Sequence, residues 1–95
     1  MLTRRRIACI SRRSNYYDAH DRIEYIGGND DGIAWRISEA AAIRQIKTQT
    51  HSYYVLIDGV ETDVVVGIYQ NEEYLKTERD AYSPDTLLSL GETAV

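Results

Sequence analysis

Between Ser52 and Tyr69 two runs rich in β-branched and aromatic residues flank the dipeptide Asp58-Gly59, and nothing else in the chain restricts its fold so tightly. Asp-Gly between two such runs is a hairpin signal. Closing the turn there pairs Ile57 with Val60, Val55 with Thr62 and Tyr53 with Val64 on one face, which Val66 and Ile68 extend. Because side chains alternate along a strand, Tyr54, Leu56, Glu61, Asp63, Val65 and Tyr69 then make up a mixed polar and aromatic outer face. Gln70-Asn71-Glu72-Glu73 reads as another turn, and Tyr74-Leu75-Lys76-Thr77 as a short closing strand.

The remaining segments are arranged around this hairpin. Residues 5–12 read as a first strand bracketed by arginines, with Ile7, Cys9 and Ser11 on one face and Ala8 and Ile10 on the other. Ile23 to Ile26 reads as a second strand, and Gly27-Gly28-Asn29-Asp30-Asp31-Gly32 as a flexible turn. Ser38 is a candidate N-cap with Glu39 at the positive end of the helix dipole. Ala40, Ala42, Ile43 and Ile46 follow as an apolar stripe at helical spacing, with Arg44 and Lys47 left for solvent or the carboxyl end. A helix of about ten to twelve residues is too short to hold itself and must pack on the sheet. Ser83-Pro84 starts a last helix, so Thr86 to Leu90 is a helical turn or a strand, with the helix preferred. The expected fold is therefore α+β: a single antiparallel sheet of about four to five strands with one helix on one face. Its order is strand-strand-helix-strand-strand-strand. Residues 1–95 are expected to form a single domain, with 1–4 and 91–95 disordered.

Composition sets the outer limits. With 43% hydrophobic and 27% charged residues, the chain has the make-up of a folded globular domain. The lone Cys9 excludes an internal disulfide framework and any zinc site built from several thiolates. The basic start is followed only by Ile7-Ala8-Cys9-Ile10, too short for a signal-peptide core, and no run approaches the roughly 18 apolar residues of a membrane span. A cytoplasmic protein with no membrane association is the expectation. Charge is unevenly spread: +4 over residues 1–22, −1 over 23–57 and −7 over 58–95. Two ends that attract each other in the fold account for this more simply than a nucleic-acid arm, given a pI near 5.0.

Four pieces in order suggest a family: the strand Ile7-Ala8-Cys9-Ile10, Trp35 ahead of the helix, the aromatic opening Tyr53-Tyr54-Val55, and the closing segment Tyr74-Leu75-Lys76-Thr77 through Asp80 to Leu87-Leu88-Ser89-Leu90. In this combination the chain resembles the prokaryotic domain of unknown function 3892 family of small proteins. The family pattern has Asn before the paired leucines and Pro after the last one, where this chain has Thr86 and Gly91. The resemblance supports the fold and implies no activity, ligand or catalytic residue.

Residue by residue, little chemistry is legible. His20 with Asp18 and Asp21, or Asn29-Asp30-Asp31, lack the spacing of metal motifs, and Gly27 to Gly32 is not followed by the Lys-Ser/Thr of a phosphate loop. Cys9 with His20 or His51 would make a nucleophile only through tertiary proximity, and a buried small side chain is the simpler role. No catalytic residue, metal or cofactor is expected. Eight tyrosines and no phenylalanine suit half-wet surfaces. The leading expectation is a non-catalytic interaction module that meets a protein partner or a second copy of itself. It would use Tyr54, Leu56, Tyr69 and Tyr74 on the outer sheet face, or the edge of the first strand. The alternative is a nucleic-acid accessory domain using Arg4, Arg5, Arg6, Arg12 and Arg13, which could equally guard a strand edge. An unrecognised enzyme is third.

Overall fold

The computed structural model describes residues 3–12, 23–30, 32–80 and 85–92. Chain order is β1 Thr3–Arg6, β2 Cys9–Arg12, β3 Ile23–Asp30, β4 Ile33–Ser38, α1 Glu39–Lys47, β5 His51–Ile57, β6 Val60–Tyr69, β7 Glu72–Thr77, α2 Asp85–Leu88 and β8 Gly91–Glu92. The architecture is α+β, but the expected single antiparallel sheet is two four-stranded sheets, ordered β1-β5-β6-β7 and β4-β3-β2-β8. Each contains one parallel pairing, β1 with β5 and β2 with β8.

Hydrogen bonding divides the expected strand 5–12 between the two sheets. Consecutive amides of an extended chain point to opposite edges. Here the Ile7 N–H donates to the Tyr54 carbonyl on β5 at 2.8 Å, and the Ala8 N–H donates to the Gly27 carbonyl on β3 at 2.9 Å. The first ribbon therefore belongs to one sheet before Ile7 and to the other after Ala8. Thr3 and Arg4, expected to be disordered, lie in β1, and Gly91 and Glu92 pair with Cys9 and Ile10.

The glycine-rich segment departs furthest from expectation. Gly27 and Gly28 lie inside β3 rather than in a turn, and the turn falls around Gly32, whose φ is +87° and whose N–H donates to Asn29 Oδ1 at 2.8 Å. Gly28 is required for space: a Cβ there would collide with the Arg6 carbonyl oxygen and come within 3.0 Å of the Trp35 ring. Beyond the turn, Trp35 and its neighbours form β4, a strand that the local sequence pattern does not announce. A bulge between the β2 and β3 registers matches Ser11 to Tyr25 and Arg12 to Ile23. The extra residue, Glu24, brings Ile23 and Ile26 onto the same face, where both are fully buried.

Local signals elsewhere act as their chemistry requires. Ser38 Oγ accepts the Ala41 N–H at 3.2 Å and caps α1. At the other end Gln49 takes φ 61°, its N–H donating to the Ile46 carbonyl while the Thr50 N–H donates to the Gln45 carbonyl, a Schellman stop. Asp58 and Gly59 both have positive φ, and the hairpin pairs Ile57 with Val60 and Val55 with Thr62. Gln70 and Asn71 repeat this turn, so β7 begins at Glu72, earlier than expected. The core gathers Ile7, Ile10, Ile23, Ile26, Ala42, Ile43, Tyr53, Val55, Val64, Leu75 and Leu87, drawn from both sheets and both helices. Ser83 and Pro84, expected to start the last helix, lie outside the described residues. Gly28→Ala should cost about 2 kcal/mol, the usual scale for forcing atoms into a filled site. Urea unfolding should show a lower midpoint at unchanged slope.

Candidate functional site

The arginines of the first ribbon alternate with the pleat. Arg4 lies on the outer face, its guanidinium 4.4 Å from the Tyr54 ring centroid, and donates to Asp63 at 2.9 Å and Glu61 at 3.2 Å. The hydrogen bond to Asp63 raises its pKa further above an already high value. Arg5 turns inward over Trp35, 5.0 Å from the ring centroid, with Nε 3.2 Å from Asp30 in an ion pair that is not aligned as a hydrogen bond. Arg12 donates to the carbonyls of Leu88 and Leu90, so it holds the end of α2. Arg6 is exposed, and Arg13 lies outside the described residues. Arg4, Arg5 and Arg12 are thus joined to partners within the chain, and the basic first ribbon is bound to acidic side chains that follow it in sequence.

The tyrosine face is also rearranged. Tyr54 is half-buried beneath Arg4. Leu56 and Tyr69, 37% and 39% exposed, sit near opposite ends of the β5–β6–β7 sheet, one beside the Asp58-Gly59 turn and the other beside the Gln70-Asn71 turn. Tyr74, expected on an open platform, is only 4% exposed. It stands opposite Gly67, where any Cβ would come within 2.7 Å of the tyrosine ring, so the absent side chain lets the ring lie flat. These four residues do not form one surface.

Candidate chemical groups have structural occupations. Cys9 is half-buried, and desolvation pushes its thiol pKa up, away from nucleophilic behaviour. His51 stacks on Tyr53 at 13° between planes, with Nδ1 3.1 Å from the Thr50 hydroxyl. The Tyr53 hydroxyl donates to Gln45, and burial raises its pKa against the opposing pull of Arg5. Asp18, His20 and Asp21 lie outside the described residues, among which no group of three His, Cys, Asp or Glu side chains could hold a metal ion. Among the described residues no helix is long and apolar enough to cross a membrane.

Asp80 forms a junction that sequence reasoning missed. Its Oδ2 accepts from the Thr77 N–H and hydroxyl, both at 3.1 Å. Its Oδ1 accepts from the Thr86 N–H at 3.3 Å and hydroxyl at 2.8 Å. The carboxylate thereby ties the end of β7 to the first turn of α2, beside the buried Leu87; its signals in the sequence are the Thr-x-x-Asp spacing and its place in the closing segment of the family pattern. Two surface features were equally unmarked: the outer edge of β4, which pairs with no further strand among the described residues, and a groove between α1 and the start of β7.

Asp80→Ala leaves two backbone donors unpaired and should cost about 2 kcal/mol in chemical denaturation. A second expectation concerns alkaline pH. Burial raises the pKa values of Cys9, Tyr53 and Tyr74, so the folded chain holds these protons more tightly than the unfolded one. That contribution is complete below the ordinary values of 9.0 for the thiol and 10.0 for the phenols, and it is lost as pH rises through the folded values. Melting temperature should hold steady through neutral pH and fall above about pH 9, less steeply in Tyr74→Phe.

Comparison with known proteins places this sequence in a family of unknown function. No curated protein and no solved structure matches the chain. The family model described as "Protein of unknown function (DUF3892)" matches residues 6–91, from the first ribbon to the start of β8, and the chain belongs to that family.

Proposed function

We propose that this chain is a non-catalytic interaction module that takes up an extended segment of a protein partner along the outer edge of β4, which has no partner strand among the described residues. The contrast between its sheet edges supports this reading. An exposed edge strand presents unpaired backbone donors and acceptors, and stable proteins guard such edges with charge or keep them short. Edge β1 carries Arg4, Arg5 and Arg6, and the Arg6 carbonyl lies against Gly28. Edge β7 carries Glu72, Glu73 and Lys76, and β8 is two residues long.

Strand β4, Ile33-Ala34-Trp35-Arg36-Ile37-Ser38, is six residues long with one charge. That charge does not guard the edge, because the Arg36 guanidinium folds back over the sheet to lie 4.5 Å from the Tyr25 ring centroid on β3. Ile33 at its start is 72% exposed. A chain laid beside β4 would gain a ladder of main-chain hydrogen bonds, with Ile33 as an apolar contact; this is recognition by strand addition. It moves the interaction surface from the tyrosine face and the edge of the first strand to the outer edge of β4.

Affinity recovery from native lysate with nuclease present, using wild type and Ile33→Lys, tests the reading. A protein recovered by wild type should be lost with the variant while the circular dichroism spectra coincide, and β4 amides should gain protection from hydrogen exchange in the complex. A partner held equally by Ile33→Lys, or one that leaves β4 exchange unchanged, would rule it out.

A further inference from the structure

Strand β4 is symmetric about its own middle. In Ile33-Ala34-Trp35-Arg36-Ile37 an isoleucine stands two residues to either side of Trp35, and the small Ala34 and the single charge, Arg36, stand one residue to either side. Ile33, Trp35 and Ile37 lie opposite Asp30, Gly28 and Ile26 of β3, so they share the core face of the sheet. Trp35 and Ile37 pack against the core, whereas Ile33 is 72% exposed. Ala34 and Arg36 share the other face, and both are exposed.

Backbone bonding falls on the same centre. Asp30 and Ile33 are paired with only two residues between them, and antiparallel partners that flank so short a loop exchange both of their main-chain hydrogen bonds. Alternation along the unbroken β3–β4 register then binds Ile33, Trp35 and Ile37 to β3 and turns the N–H and C=O groups of Ala34 and Arg36 to the outer edge. An antiparallel copy centred on Trp35 sets Ala34 of each chain opposite Arg36 of the other, so outward groups meet outward groups. It also sets Ile33 opposite Ile37, which covers the exposed isoleucine, and it sets each arginine against a methyl group. Centred on Arg36, the same pairing would bring two guanidinium groups together. The Trp35 ring lies over Gly28 of its own chain, so two rings do not contest the axis. From this symmetry we infer that the segment taken up by β4 is β4 of a second copy, joined antiparallel about a two-fold axis at Trp35, so that the two four-stranded sheets become one. The inference rests on the strand-addition reading and names its partner.

Sedimentation velocity of the full chain over a concentration series tests the pairing, and substitutions at the exposed Ala34 test its register. Wild type should dimerise. Ala34→Arg should weaken the dimer by about tenfold, because like charges then face each other at both contacts between positions 34 and 36, and Ala34→Glu should strengthen it by a similar factor. Ile33→Lys should also weaken it. Amide exchange should slow at Ala34 and Arg36 as concentration rises and stay as it was at Trp35, whose N–H is already held by β3. A wild type that stays monomeric overturns the inference; if native lysate still yields a different protein that Ile33→Lys loses, the strand-addition reading survives it. A dimer in which Ala34→Arg and Ala34→Glu act in the same direction, or not at all, overturns the inference too, since the register centred on Trp35 opposes positions 34 and 36. A dimer that leaves β4 exchange unchanged overturns both.

Discussion

Two adjacent amides, those of Ile7 and Ala8, hold the molecule together by donating to strands of different sheets. Everything else in the architecture follows from that divergence. Once the first ribbon serves β5 on one side and β3 on the other, the sheets share a seam, and the side chains near it face a common interior. Ile7 and Ile10, on either side of the break, are both buried and meet residues from both sheets. The close crossing also dictates composition at one point: the Arg6 carbonyl approaches β3 so nearly that only a residue without Cβ fits at position 28. Trp35, opposite Gly28, then fills the space above it and carries Arg5 on its ring.

This arrangement explains why so basic a beginning belongs to an acidic protein. Three arginines of the first ribbon fasten it to the rest of the chain. Arg4 spans Tyr54 to reach Glu61 and Asp63, Arg5 lies between Trp35 and Asp30, and Arg12 collects carbonyls at the end of α2. Exposed ion pairs of this kind stabilise weakly one at a time. Arg4, however, joins β1 to the β6 side of the hairpin within one sheet, while Arg5 joins β1 to the other sheet and so reinforces the seam. Among the described residues the least guarded strand edge lies elsewhere, on β4, where Arg36 folds back over Tyr25.

Elements specified by neighbouring residues were legible in the sequence. Asp58-Gly59 announces its turn because two positive φ angles are needed there, and Ser38 announces α1 because a hydroxyl must satisfy an exposed amide. The inward set Tyr53, Val55, Thr62 and Val64 followed from that turn by alternation alone. The division of the first ribbon was not legible, since period-two patterning gives the face of a side chain and says nothing about the strand to which an amide donates. Glycine at 27 and 28 resembled a turn because its conformational freedom is visible in sequence, whereas the crowding that requires it is created by a distant carbonyl. Tyr74 was misplaced for the same reason: its cover depends on Gly67 across the ladder. Tyr54 and Tyr69 share the outer face of the sheet, as alternation along the strands implies, but the distance between the ends of a strand separates what alternation groups together. The family resemblance carried by the ordered motifs matches the family to which the chain belongs.

The parallel pairing of β2 with β8 joins Cys9 to Gly91, nearly the whole length of the chain. Non-local pairings of this kind slow folding because a large loop must close before the contact forms. A ribosome delivers β2 about eighty residues before its β8 partner. Until then β2 has no neighbour on that side, and charge beside an unpaired strand edge disfavours pairing with another chain. Arg12, at the end of β2, thus places a charge beside that edge and, in the folded chain, holds the end of α2 that leads into β8.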